Sequence, residues 1–170
     1  MREIKIVSVT GSELISTSTA KAFMKVDFSD DDTIIGVMIT AAHTWCENYL
    51  SKDIIAKQRI YYVPKTTGQF DLPFAPIASI DELKIDGVVS TAYSTLGINS
   101  ETIELNAGET EKVQVKYTTT GLSDSIVKQA LLQLVATYYD NRADFEVGAA
   151  VNEVPTNITN ILSPLKAMYI

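Results

Sequence analysis

Apolar residues at helical spacing dominate two stretches of the chain. In residues 123–142, Val127, Leu131, Leu134, Val135 and Tyr138 recur three and four positions apart and share one helical face. Gln129, Gln133, Thr137 and Asp140 fall on other faces, and Leu132 and Tyr139 form a second apolar edge beside the stripe. Ser123 stands where a short side-chain oxygen accepts from a first-turn N–H, so it is the expected cap. Residues 29–50 predict the second long helix. Ile34, Met38, Ala41, Trp45 and Tyr49 line one face, and Ile35, Ile39, Ala42 and Cys46 lie beside them. Its entry, Ser-Asp-Asp-Asp, is a capping-box pattern from Ser29 to Asp32, with acids at the positive end of the helix dipole. Both helices are apolar over more than one face. Each is expected to pack against the other and also against strands or a neighbouring subunit. A shorter helix is expected over residues 16–26, with Ala20, Phe23 and Met24 as its apolar side.

Between the helices the period changes to that of strands. Residues 4–10 predict a short strand before Gly11, and the segment 57–120 is rich in β-branched residues and punctuated by Pro64, Pro73 and Pro76, which exclude a helix. Strands are expected over 58–64, 69–72, 79–85, 88–93, 102–105 and 112–118. Asp86-Gly87 marks a hairpin and Ala107-Gly108 joins the last two strands. After Arg142 the pattern is loop-like, until a last helical turn over 157–162 that Pro164 stops. The expected architecture is α+β: two long and several short helices interrupted by a β-rich antiparallel insertion. It forms one domain over 1–170, with a helical core at 16–56 and 121–170 and the insertion at 57–120.

The 170 residues are 46% hydrophobic and carry a formal net charge of −7, enough apolar content for a real core and the wrong sign for duplex DNA or an anionic membrane. No apolar run approaches the roughly 20 residues that span a bilayer, and the start, MREIKIVSVTGSEL, has no signal-peptide apolar stretch. The single cysteine, Cys46, excludes an intramolecular disulfide and fits a reducing compartment. Catalytic constellations are mostly missing. His43, the only histidine, falls opposite the Ile34–Trp45 stripe and reads as a solvated or interfacial side chain. It lies one helical turn from Cys46, so a Cys–His enzyme is the alternative, although Cys46 points to the apolar side where thiols are inert. Asp30, Asp31 and Asp32 lack the glycine and distal glutamate of a calcium loop, and capping explains them better than a metal. No cofactor motif occurs, and neither a metal nor a cofactor is expected. Arg142 ends the long helix where the dipole favours a cation, and its place near the apolar face also suits a buried or interfacial carboxylate partner.

The order of segments is similar to that of a known family. Thr19-Ala20-Lys21-Ala22-Phe23-Met24-Lys25-Val26 leads into Asp30-Asp31-Asp32 and a helix ending Glu47-Asn48-Tyr49-Leu50. Leu72-Pro73, Pro76-Ile77 and Ser79-Ile80 follow, then Val115-Lys116-Tyr117 and Gly121. The most specific piece is the helix with Ala130-Leu131, Leu134-Val135-Ala136, Tyr138-Tyr139 and Asn141-Arg142, and Val154-Pro155, Ile161-Leu162 and Ser163-Pro164 complete the run. In this order the chain resembles the head–tail connector (adaptor) proteins of tailed bacteriophages. It departs from their pattern at Ala143-Asp144 and at Leu165-Lys166.

The resemblance implies a structural virion neck protein, made in the host cytoplasm, that does no chemistry. Subunits would form a homo-oligomeric ring, a dodecamer where it matches a portal, between the portal protein and the tail or its stopper protein. DNA would pass through the lumen without specific binding, and no membrane is involved. An acidic lumen suits such passage, because like charges repel. A ring requires heterologous contacts, for which the second apolar flanks are the candidate patches: Ile35, Ile39 and Cys46 on one helix, Leu132 and Tyr139 on the other, with Arg142 at its end. Another neck or tail-completion protein is the remaining structural alternative.

Overall fold

A computed structural model of the chain describes residues 1–141 and 156–166. It combines four α-helices with antiparallel sheets among those residues, arranged in two compact units. One unit comprises Met1–Ser12 and Ile55–Leu122; the other comprises Glu13–Ile54 and the chain from Ser123 onward.

The first unit holds all the strands: β1 (Glu3–Val9), β2 (Lys57–Thr66), β3 (Gln69–Asp71), β4 (Ile77–Ile85), β5 (Val88–Val89), β6 (Tyr93–Leu96), β7 (Thr102–Leu105) and β8 (Thr110–Thr119). A five-stranded sheet has the order β1-β2-β8-β4-β5 and a three-stranded sheet the order β3-β7-β6. Every pairing is antiparallel. The alternation that marks 112–118 in the sequence extends through β8: Val113, Val115 and Tyr117 are buried, as are their cross-strand neighbours Tyr61, Val63 and Leu83. Phe70, Leu72, Ile103 and Leu105 complete this core. Tyr117 keeps its hydroxyl satisfied inside it by donating to the Pro73 carbonyl at 2.8 Å. Pro64 sits within β2 without disrupting it, because β1 pairs only as far as Tyr62 and the missing N–H has no partner to lose on that side.

Two turns fix the connections. Asp86 and Gly87 both have positive φ, 47° and 81°, as the tight turn between β4 and β5 requires. Gly68, at φ 108°, approaches the Gly108 backbone so closely that a Cβ would lie 2.9 Å from it. The expected return strand over 88–93 divides instead: β5 ends after two residues, and Tyr93 starts β6 in the other sheet. The strand near the N-terminus, β1, forms the edge of the larger sheet.

The second unit holds α1 (Thr17–Met24), α2 (Asp32–Leu50), α3 (Ser125–Asp140) and α4 (Thr156–Leu162), followed by a 3-10 turn at Ser163–Leu165 that contains Pro164. Helix α3 packs against α2, α1 and α4. Ser16 caps α1, accepting from Thr19 N–H at 3.1 Å. The caps of the long helices lie further along than the sequence suggests. Asp124, not Ser123, caps α3 through Ile126 N–H at 2.7 Å, and α2 begins after Asp31 rather than at Ser29. Val127, Ala130, Leu131, Leu134 and Val135 of α3 are buried, as the periodicity predicts. On α2 the two flanks exchange roles. Ile35, Ile39, Ala42, Cys46 and Leu50 face the core, whereas Ile34 and Ala41 of the expected main stripe are exposed and Met38, Trp45 and Tyr49 only half-buried.

Candidate assembly interface

The outward face of α2 is unusually apolar for an open surface. Val37 is 64% and Ile34 42% exposed, and the Trp45 and Tyr49 rings stack at 5.3 Å with only 5° between their planes. Thr40 and Thr44 on this face would normally make it polar. However, Thr40 donates to the Gly36 carbonyl at 3.3 Å and Thr44 to the Thr40 carbonyl at 2.9 Å, so both hydroxyls are spent on the helix itself. Gly36 and Ala41 keep the face low, and an added Cβ at Gly36 would meet nothing within 4 Å. The result is an open groove of about 810 Å³ running along α2 and reaching Tyr138 of α3.

Behind this face, the polar residues of α2 turn inward. His43 is buried, contrary to the solvated or interfacial place its position opposite the stripe suggested, because that opposite side is the core side. It sits between two carboxylates. Nδ1 lies 2.6 Å from Glu13 Oε2, and Nε2 lies 3.0 Å from Glu47 Oε1, close enough to pair electrostatically though not aligned as a hydrogen bond. Glu47 Oε1 also accepts from Ile54 N–H at 2.9 Å. Burial lowers the basicity of His43, but Glu47 and Glu13 together outweigh it, and the net shift is above 6.5. The cluster therefore ties two loop residues, Glu13 and Ile54, to neighbouring turns of α2.

Cys46 is fully buried, and burial first, then the Glu47 charge, pushes its thiol up to about 12. Such a thiol is protonated at neutral pH and supplies no thiolate nucleophile. His43 is held by glutamates rather than by Cys46. The acidic run has specific partners: Asp32 pairs with Lys21 Nζ at 2.6 Å and Asp31 accepts from the Tyr139 hydroxyl at 2.6 Å, joining α1 and α3 to the start of α2. Among the described residues no group of three or more His, Cys, Asp or Glu side chains is arranged to hold a metal ion, and no helix is long and apolar enough to cross a membrane.

Of the residues singled out as interface candidates, Ile35, Ile39 and Cys46 are buried within the chain. Leu132 and Tyr139 are half-buried, and the Tyr139 hydroxyl is engaged with Asp31. Arg142 lies outside the described residues. The α2 groove was missed because its Gly, Ala and Thr residues carry little hydropathy; the adjacent Val37, apolar and off the expected stripe, was the one available signal.

The family model for phage gp6-like head-tail connector proteins matches residues 15–107, more than half of the chain, and the protein belongs to that family. No curated protein sequence gives a significant match. Solved structures share the fold over its whole length. A chain in the neck of an empty gene transfer agent (GTA) particle, computed with C6 symmetry, superposes with a TM-score of 0.77 at 16% identity, covering 99% of this chain and 97% of that one. A chain of the native GTA virion gives 0.74 at 16% identity with 98% and 96% covered. One from the neck of the native particle, computed with C12 symmetry, gives 0.72 at 18% with 99% and 97% covered.

Proposed function

We propose that the protein is a structural component of a virion neck, assembling as a homo-oligomeric ring, twelve-fold beneath a portal, that joins the portal protein to the tail or its stopper and extends the DNA channel. The observation that carries this is the joint one of family membership over residues 15–107 and end-to-end fold likeness to neck chains. The C6 and C12 symmetries of those necks support a ring. In such a ring the open face of α2 is the main subunit contact, with Leu132 and Tyr139 of α3 beside it. No covalent chemistry is needed, in keeping with the enclosed His43 and Cys46. The net charge of −7 suits a channel through which DNA slides without adhering.

Removal of the chain from a particle-producing cell is the test. Filled heads and free tails that fail to join, seen by electron microscopy, are expected; normal tailed particles would contradict the proposal. Within the ring, Leu132→Glu is expected to reduce ring yield, read by native mass spectrometry, more than Gln133→Glu, since only the first inserts a charge into the second apolar edge of α3. Equal yields would exclude Leu132 from the contact.

A further inference from the structure

The larger sheet has an edge that a soluble strand rarely leaves bare. All seven residues of β1 are exposed, and Ile4, Ile6, Val7 and Val9 are between 39 and 54% accessible. Its register with β2, shifted by a bulge between Ile6 and Ser8, puts Ile4, Ile6 and Val9 on one face and Glu3, Lys5 and Ser8 on the other, and its outer row of backbone donors and acceptors has no strand partner among the described residues. Free edges of this kind are normally shortened, charged or covered. At the other side of the sheet, β4 is incompletely covered. β5 pairs only with Lys84 and Ile85, the Ile77 N–H donates to Asn99 O, and Ser90 N–H donates to Leu83 O. Between these ties, the outer edge of residues 78–82 has no strand partner among the described residues. A groove of about 660 Å³ runs along it, bounded by Ile77, Ser79 and Ile80 on one side and by Tyr93, Ser94 and Thr95 of β6, itself a sheet edge, on the other.

We infer that β1 of one subunit completes the sheet of the next by pairing along the vacant edge of β4, so that the subunit ring is also a ring of joined sheets. The occupant is a second copy of this chain, and the inference rests on the ring proposed above. Three features of the sheet favour it. Its four long strands, β1-β2-β8-β4, are all antiparallel, so the two edges run in opposite directions. A copy turned by the small angle of a many-fold ring keeps its strand directions and therefore brings β1 antiparallel to β4. This junction is heterologous, edge to opposite edge, as a closed ring demands. The charges also match. An antiparallel alignment that sets Lys5 opposite Glu82 sets Ser8 opposite Ser79, both within the vacant stretch. Glu82 already has Lys84 of its own strand 2.7 Å away, and Lys5 of the incoming strand would flank it from the other side. Main-chain hydrogen bonds would supply affinity and the alternating side chains the register, as in other strand additions.

The test uses two full-length variants, Ser8→Cys and Ser79→Cys, both at exposed positions. The native Cys46 is buried, and the unsubstituted chain treated in the same way gives the background. Each variant alone and an equal mixture are treated with a short bifunctional thiol reagent, and assembly in the same samples is read by native mass spectrometry. Cross-linked dimer in the mixture, about tenfold or more above either variant alone, is the expected result. Rings without mixed cross-links would overturn the strand junction and leave the ring proposal standing. Cross-linking of Ser8→Cys with itself would overturn it in favour of two-fold β1 pairing. Monomers at every concentration, with no cross-link, would overturn both.

Discussion

Glu47→Ala lowers the stability of the helical unit by about 3–5 kcal/mol at pH 6, the range for stripping one partner from a buried ion pair, and by clearly less at pH 9. Glu47 is the more enclosed of the two carboxylates on His43, and it also receives the Ile54 N–H, so its loss leaves the cation with Glu13 alone and orphans a backbone donor. The pH dependence follows from the direction of the His43 shift. Its folded pKa is raised above the unfolded value of about 6.5. The folded state therefore holds the proton more tightly. The stabilisation is fully present below about 6.5 and is lost as pH rises through the folded value. Removing Glu47 removes most of that advantage, so the wild-type and variant curves converge on the alkaline side. Trp45, the only tryptophan, sits on α2 and reports unfolding of this unit by fluorescence in a denaturant titration at each pH. A loss under about 1 kcal/mol at pH 6, or an equal loss at both pH values, would mean that the cluster does not hold its proton as the geometry requires.

Val37→Glu acts in the opposite way, leaving the fold alone and destroying assembly. Val37 is 64% exposed on a helix, and glutamate is a better helix former than valine, so the monomer's stability is expected to change by no more than about 0.5 kcal/mol. In the proposed ring the same position is covered by a neighbour. A carboxylate buried there without a partner weakens each contact by at least about tenfold, or about 1.4 kcal/mol. Every subunit of a ring makes the contact, so closure suffers more than a single pairing. Sedimentation velocity reads the outcome as a shift from rings to monomers. An unchanged ring population would remove the α2 face from the interface and return attention to α3.

The sequence made some layers of this structure legible and concealed others, for identifiable reasons. Mixed helices and antiparallel strands could be read because α3 keeps a clean stripe at Val127, Leu131, Leu134 and Val135, and β8 alternates Val113, Val115 and Tyr117 with polar residues. Helix α2 defeats the same reasoning. Its two flanks are nearly equal in hydropathy, and the deciding residues mislead. His43 and Glu47 are polar but go inside because they pair electrostatically, while Val37 and Ile34 are apolar but remain outside. The histidine cluster was invisible because Glu13 lies 30 residues from His43. The edge position of β1 was equally hidden, since its partner β2 follows only after two helices. The cap shift from Ser123 to Asp124 is the ordinary result of having short polar residues in a row, any of which can serve, whereas Asp31 at the start of α2 makes no side-chain cap and gives its carboxylate to Tyr139 instead.

The central claim is a place in the neck at portal stoichiometry. Quantitative mass spectrometry of purified particles, comparing copies of this chain with copies of the portal protein, tests it most directly. A ratio near one is expected. Absence from mature particles, or a ratio far from one, would contradict a neck ring matched to the portal.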